Sequence, residues 1–363
     1  MTKLDTAPYK GVRDFYPEDQ FIQRYIFNIW RKTLERTGYE EYNASLLEPT
    51  EMYKEKSGEE IVREQTYTFK DRGDREVTLR PEMTPTVARM VAARRRELGF
   101  PLRWYSIPNL FRYEAPQRGR LREHWQLNAD IFGVKTIEAD IEMIAVAYRI
   151  MKNFGAEDSD FEIRLNSHST KEALEEVITG LKFSGIENVR VDETLARGQA
   201  YYTGVVFEFF DTDPANPRSI LGGGRYDNLT ALFEDFEMPA VGFGAGDVTI
   251  RDFLETHGLL PEYRPATDLF MTLKRTENIH TIVDFYKMVE KLQESGINIA
   301  TDGSARESGD IYKAVERLKI PYVCFVDEAD LSKGEIIIKN MSTRAEHSVS
   351  VSEPEKIKEL VKA

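Results

Sequence analysis

The sequence predicts two domains of mixed α and β structure, a large one over residues 1–262 and a small α/β one over 263–363. Three observations carry this. The 363 residues are 41% hydrophobic and 31% charged, enough for two proper cores and too apolar for wholesale disorder. Residues 262–267, EYRPAT, read as a linker. Beyond it, strands (DLFMTL, INIATD, PYVCFV, EIIIKN) alternate with helical stretches at 279–295 and 307–318, which predicts a largely parallel sheet with helices around it.

The larger domain opens with YKGVRDFYPE, punctuated by glycine and proline. Over residues 19–36 the apolar positions are Phe21, Ile22, Tyr25, Ile26, Ile29, Trp30 and Leu34, a helical spacing with an aromatic-rich face. Gly38 then stands where a glycine closes a helix. GYEEYNASLLEPTEMY reads as a strand running into a turn at Pro49. Residues 67–70 and 76–79 form a hairpin around Asp71-Arg72-Gly73-Asp74, and a helix starts near Pro85. An amphipathic helix at 137–153, a strand FEIRLN, a helix at 171–181 and an extended stretch at 186–191 follow. VVFEFFDTD is a strand with a turn after it, and the glycine-rich stretch 239–250 runs into a helix.

Residues 111–133, FRYEAPQRGRLREHWQLNADIFG, hold the densest chemistry. Arg112 and Glu114 end a strand, and a turn with Arg118, Gly119, Arg120 and Arg122 follows. Trp125, Leu127, Ala129 and Ile131 then alternate with Gln126, Asn128 and Asp130, the period of a strand with one buried and one polar face. The stretch is strand, basic loop, strand, with both polar faces turned to one cavity. A guanidinium fork binds two phosphate oxygens at once, and Gln126 with Asp130 suits a polar, cationic ligand. A solvated basic hairpin has the same composition, so the rest of the chain must decide.

Composition excludes several classes. No apolar run is long enough to span a bilayer, and MTKLDTAPYK has no signal-peptide core, so the expected location is cytoplasmic, with no membrane partner. One cysteine, Cys324, rules out a disulfide within the chain and disfavours a thiolate metal site. The five histidines are scattered, so no metal ligands are expected. A net charge of −13 argues against a general nucleic-acid coat but leaves room for a local basic groove. Arg94-Arg95-Arg96 reads as a solvated helix end.

The 111–133 stretch resembles motif 2 of class II aminoacyl-tRNA synthetases, and most closely that of histidyl-tRNA synthetases. Helix, Gly38 and strand resemble motif 1, the dimer-forming element, with Ser45 where the family usually has proline. TLRPEMT, residues 78–84, resembles TLRPEGT, whose Glu and Thr bind the amino group of the substrate. LARGQAYYTG, residues 195–204, resembles RGLDYYTG, found in histidyl-tRNA synthetases and not in other class II enzymes; Gln199 and Ala200 replace Leu and Asp. SILGGGRYD, residues 219–227, resembles a second histidine-specific motif, in which a glycine strand lets the imidazole approach the backbone. Residues 239–250 take the place of motif 3, but Thr249 stands where the family carries the arginine that holds the ATP γ-phosphate. Arg251, two residues on, would face a different side of the helix. Between Asn166 and Leu195 the family carries a helical insertion that touches the tRNA acceptor arm; the stretch here is too short for a core of its own, so the insertion region 167–194 reads as reduced.

The resemblance implies an α+β class II synthetase catalytic domain, a mostly antiparallel sheet flanked by helices, followed by a small α/β anticodon-binding-like domain. It implies a ligase that activates histidine with ATP and Mg²⁺ and passes the histidyl group to tRNA(His), as a cytoplasmic homodimer. Arg112 and Arg197 would be catalytic, flanking the α-phosphate. Glu82, Thr84, Gln126, Asp130, Tyr201, Tyr202, Gly222, Gly223 and Gly224 would bind histidine. Arg112, Glu114, Arg120 and Arg197 would bind ATP. The alternative is a non-catalytic paralogue that senses histidine, such as the regulatory subunit of ATP phosphoribosyltransferase.

Overall fold

A computed structural model describes residues 3–57, 64–195, 202–303 and 307–362. The chain divides into two compact units, Met1–Pro261 and Glu262–Ala363.

In the first unit, α1 (Pro17–Arg36) begins with proline in its first turn, where the missing N–H has no helical partner to lose. Gly38, at φ +84°, turns the chain out of it. Ile22, Ile26, Trp30 and Leu34 make a buried row along α1 and join the unit's own main core. The expected strand after α1 is broken into β1 (Glu40–Glu41) and β2 (Leu47–Pro49). Arg80 holds the break: its Nη1 donates to the carbonyls of Ala44 at 2.8 Å and Ser45 at 3.2 Å. After α2 (Glu51–Ser57), β3 (Tyr67–Lys70) and β4 (Glu76–Leu79) form the expected hairpin, with β2 on the far side of β4. Then come α3 (Thr84–Arg94), β5 (Leu102–Ser106), β6 (Asn109–Phe111) and β7 (Glu123–Phe132). Next are α4 (Glu138–Asn153), β8 (Phe161–Ser167), α5 (Lys171–Phe183) and β9 (Val189–Val191). β10 (Val205–Asp211), β11 (Ser219–Arg225), β12 (Ala240–Gly246) and α6 (Asp247–Thr256) complete the unit.

Among the described residues one sheet runs β1-β5-β7-β12-β11-β10-β8-β9, with β6 also on β7. It is antiparallel except at its two ends, where β1 pairs β5 and β8 pairs β9 in parallel. Leu127, Ala129 and Ile131 of β7 and Val241, Phe243 and Ala245 of β12 enter one core with residues of α1, α4 and α6. Strand alternation sends Gln126, Asn128 and Asp130 to the opposite face. That face is not open to water throughout, as simple alternation would suggest: Asn128 and Asp130 are themselves buried. The segment between β8 and β10 is part of the same layer, because α5 packs on α4 and β9 extends the sheet.

The second unit holds β13 (Leu269–Leu273), α7 (Ile279–Glu294), β14 (Ile299–Asp302), α8 (Ser308–Arg317) and β15 (Tyr322–Val326). It continues with α9 (Glu328–Lys333), β16 (Glu335–Asn340), β17 (Glu346–Ser350) and α10 (Pro354–Lys362). The sheet order is β14-β13-β15-β16-β17. The expected largely parallel sheet is half right. β14, β13 and β15 are parallel, while β16 and β17 are antiparallel. A tight turn with Arg344 at φ +65° folds EIIIKN back onto EHSVS, so the last strands come as a hairpin and not through a helical crossover.

Candidate active site

A cavity of about 480 Å³ opens between the loop after β6, the strands β7, β10, β11 and β12, and the first turn of α6. The motif 2 residues Arg112, Glu114, Arg120 and Gln126 all line it. Arg112 is aimed by its Nε, which donates to the carbonyl of Pro81 at 2.9 Å. Arg120 pairs with Glu114 at 2.6 Å. The other two loop arginines have structural partners. Arg118 donates to Asn216 at 2.8 Å and to Thr256 at 3.2 Å, which ties the loop to α6. Arg122 donates to the Tyr9 hydroxyl and lies over the Tyr113 ring. His124 also lines the cavity. Burial, with Arg112 and Arg13 beside it, pushes its pKa down to about 3, so the ring is neutral at physiological pH.

The glycines of β11 and β12 make room for side chains that the sequence assigned to histidine. A Cβ at Gly244 would collide with the Gln126 amide, one at Gly242 with the Asp130 carboxylate, and one at Gly224 would meet the Tyr202 ring at 2.9 Å. Gly223 is required for another reason: its Cβ would run into the carbonyl of Gly242 on the neighbouring strand. So at Gly223 and Gly224 the place a Cβ would take is occupied by neighbouring protein atoms. Gly222 is buried in β11 opposite Gly244.

Asp130 lies deeper than the cavity walls. One oxygen accepts the Tyr226 hydroxyl at 2.5 Å, and the other has no partner. Burial pushes its pKa up to about 7, against the pull of Tyr226. An orphaned buried carboxylate oxygen is costly unless a donor or cation completes it. Glu82 and Thr84 sit at the turn into α3 and do not line the cavity. The Tyr53 phenol is held neutral by burial and then by the charge of Glu82. Arg197 and Tyr201 lie outside the described residues.

Thr249 lines the cavity, and its hydroxyl donates to the carbonyl of Ile220 at 2.8 Å. Arg251 faces elsewhere, as its spacing predicts: it pairs with Asp19 of α1 at 2.8 Å. Three residues that the motif reading passed over matter here. Asp247, buried at the start of α6, accepts from the Trp125 N–H at 2.9 Å and pairs with Arg13 at 2.7 Å. Glu208 and Arg218 line the cavity from β10 and from the approach to β11. None of the three has a local spacing that marks it.

Known proteins resemble this chain in sequence and in fold. A family model described as histidyl-tRNA synthetase matches residues 11–167 and 165–248, and one described as anticodon binding domain matches 276–360. A histidine–tRNA ligase of Leptospira biflexa is 35% identical over 98% of both chains. The chain belongs to the histidyl-tRNA synthetase family. A histidine–tRNA ligase of Thermoplasma volcanium is 32% identical, over 95% of this chain and 96% of its own. The apo histidyl-tRNA synthetase of S. aureus superposes with a TM-score of 0.83 and 26% identity, over 98% of this chain and 99% of that one. The alignment to the Leptospira relative spans 432 positions, more than the 363 residues of this chain, so that family member carries residues this chain lacks.

Proposed function

We propose that the protein activates histidine with ATP and passes the histidyl group to tRNA(His). The observation that carries this reading is similarity to histidine–tRNA ligases, 32–35% identical along nearly the whole chain, with the motif 2 residues Arg112, Glu114, Arg120 and Gln126 gathered on one cavity of ATP-compatible size. In the first step the histidine carboxylate attacks the α-phosphorus of ATP and pyrophosphate leaves; in the second the histidyl group moves to the terminal ribose of the tRNA. The chain's part is positioning and charge neutralisation. Arg112, aimed by Pro81, sits on the α-phosphate, and Arg197 is assigned to its other side by motif. Arg120 and Glu114 hold the nucleotide side of the cavity. Gln126, Asp130 and Tyr202, seated over glycines, hold histidine together with Glu82, Thr84 and Tyr201. The unpaired oxygen of Asp130 suits a donor imidazole or a cation.

Mg²⁺ enters with ATP, since this ion is held chiefly by substrate phosphates and one or two carboxylates. Glu114 and Glu208 are the carboxylates on the cavity wall, and among the described residues no cluster of three or more metal-ligating side chains exists. The homodimer assigned to motif 1 finds less support in α1 than its sequence suggests, because that stripe is used inside the chain. Exposed Leu47 and Phe69 on the small sheet are the apolar surface available for it. No helix among the described residues is long and apolar enough to cross a membrane, and the reading places the enzyme in the cytoplasm. The insertion that grips the acceptor arm is reduced to residues 167–194, which here serve the catalytic sheet; the family model is matched in two pieces that meet at 165–167. The C-terminal unit takes the anticodon arm. A histidine-sensing paralogue is the weaker reading, since the curated relatives matched along the whole chain are ligases. The test is histidine-dependent exchange between ATP and labelled pyrophosphate; a protein that binds histidine yet catalyses no exchange is a sensor.

A further inference from the structure

The cavity lacks the motif 3 arginine, and Thr249 cannot replace it. Its side chain is short and neutral, and its hydroxyl already donates to Ile220. Arg251 is held by Asp19. Yet a cation stands beside Thr249. Arg218, just ahead of β11, lines the same cavity. A Cβ placed on Gly119 of the motif 2 turn would meet Cδ of Arg218 at 2.9 Å and the methyl of Thr249 at 3.4 Å. The two side chains therefore flank one point on the cavity wall.

Arg218 also differs from its neighbours in having nothing to hold. Arg112 donates to Pro81, Arg118 to Asn216, Arg120 to Glu114 and Arg122 to Tyr9. Among the described residues no side-chain hydrogen bond or ion pair engages Arg218. Its backbone is nonetheless fixed. Asn216, two residues before it, is buried and donates to Asp211 at 2.7 Å and to Thr256 at 3.0 Å. A half-buried guanidinium with an empty fork, on a chain segment tied down at Asn216, suits a planar anion.

We propose that Arg218 supplies from the strand side the charge that motif 3 supplies from the helix in other family members, by binding the β- and γ-phosphates of ATP. This rests on the ligase reading above. As the carboxylate oxygen of histidine bonds to the α-phosphorus, the bond from that phosphorus to the bridging oxygen breaks. Pyrophosphate leaves with that oxygen and its electron pair, and Arg218 neutralises the charge that grows there.

The test compares the parent, Arg218→Ala and Arg218→Ala with Thr249→Arg in pyrophosphate exchange. Binding of a non-hydrolysable histidyl-adenylate analogue, which has no β- or γ-phosphate, is measured alongside. The expected result is a fall of about 10²-fold in kcat/KM for ATP in Arg218→Ala, the usual cost of one preorganised donor. The KM for histidine and the affinity for the analogue stay at the parent's values, and the added Thr249→Arg recovers a large part of the loss. An unchanged kcat/KM for ATP overturns the proposal, as does loss of analogue binding in step with activity, or no recovery in the double variant. A parent protein with no histidine-dependent exchange takes down the ligase reading and this proposal together; a failure confined to Arg218→Ala takes down this proposal alone.

Discussion

Asp130 is a carboxyl that costs the folded protein stability at neutral pH. It is 2% exposed, and its pKa is pushed up to about 7 from the ordinary 3.8. Below the unfolded value both states are protonated and the group contributes nothing to the pH dependence. Between the two values the unfolded chain ionises while the folded one keeps its proton, so stability falls as pH rises; above the folded value the loss is constant. Two pH units, from 5 to the folded pKa, at about 1.4 kcal/mol each give a loss of about 3 kcal/mol between pH 5 and 8. Asp130→Asn keeps the shape and can still accept from Tyr226, but has no proton to lose. Denaturant unfolding of both proteins across this range is the assay. Wild type should lose about 3 kcal/mol relative to Asp130→Asn on going from pH 5 to pH 8. Saturating histidine should return part of that loss to the wild type only, because the ligand supplies the missing partner of the free oxygen. Parallel pH profiles for the two proteins would refute the reasoning and mean that Asp130 is ionised and solvated in the folded state.

Three further outcomes follow from the same geometry. Gly244→Ala drives a methyl into the Gln126 amide; we expect the KM for histidine to rise and stability to fall by about 1–3 kcal/mol, as overpacking usually costs, measured by exchange kinetics and denaturant melts. Arg13→Met leaves the Asp247 carboxylate buried without its ion pair, which should cost about 3 kcal/mol in a denaturant melt; an unchanged midpoint would make that pair superficial. Activation of histidine should outlast charging, with a high KM for tRNA(His), because the reduced insertion and a net charge of −13 both weaken attraction of the acceptor arm. Grafting a family insertion domain into the 167–194 region should lower that KM, and equal KM values with and without the graft would show the segment to be dispensable.

Local periodicity made much of the catalytic unit legible. The α1 stripe, Gly38, the hairpin at 67–79 and the alternation through β7 depend on neighbours a few residues apart, and the structure has them all. The motif 2 residues converge because one short loop joins two strands of the same sheet. What stayed hidden depends on distant partners. Arg13 and Asp247 are 234 positions apart, so nothing near either marks the pair. Arg218 looks like an ordinary loop cation between Pro217 and Ser219 until Gly119 and Thr249 are folded against it. Asp130 reads as one polar tooth of an alternating strand, and only the packing above it shows that it is buried. The hairpin of β16 and β17 escaped because MSTRAE carries no glycine or proline; Arg344 adopts the left-handed conformation without one.

The most direct measurement of the central claim is ATP–pyrophosphate exchange by the purified protein with each standard amino acid in turn. The account predicts exchange with histidine alone. No exchange with histidine, or equal exchange with another amino acid, would contradict it.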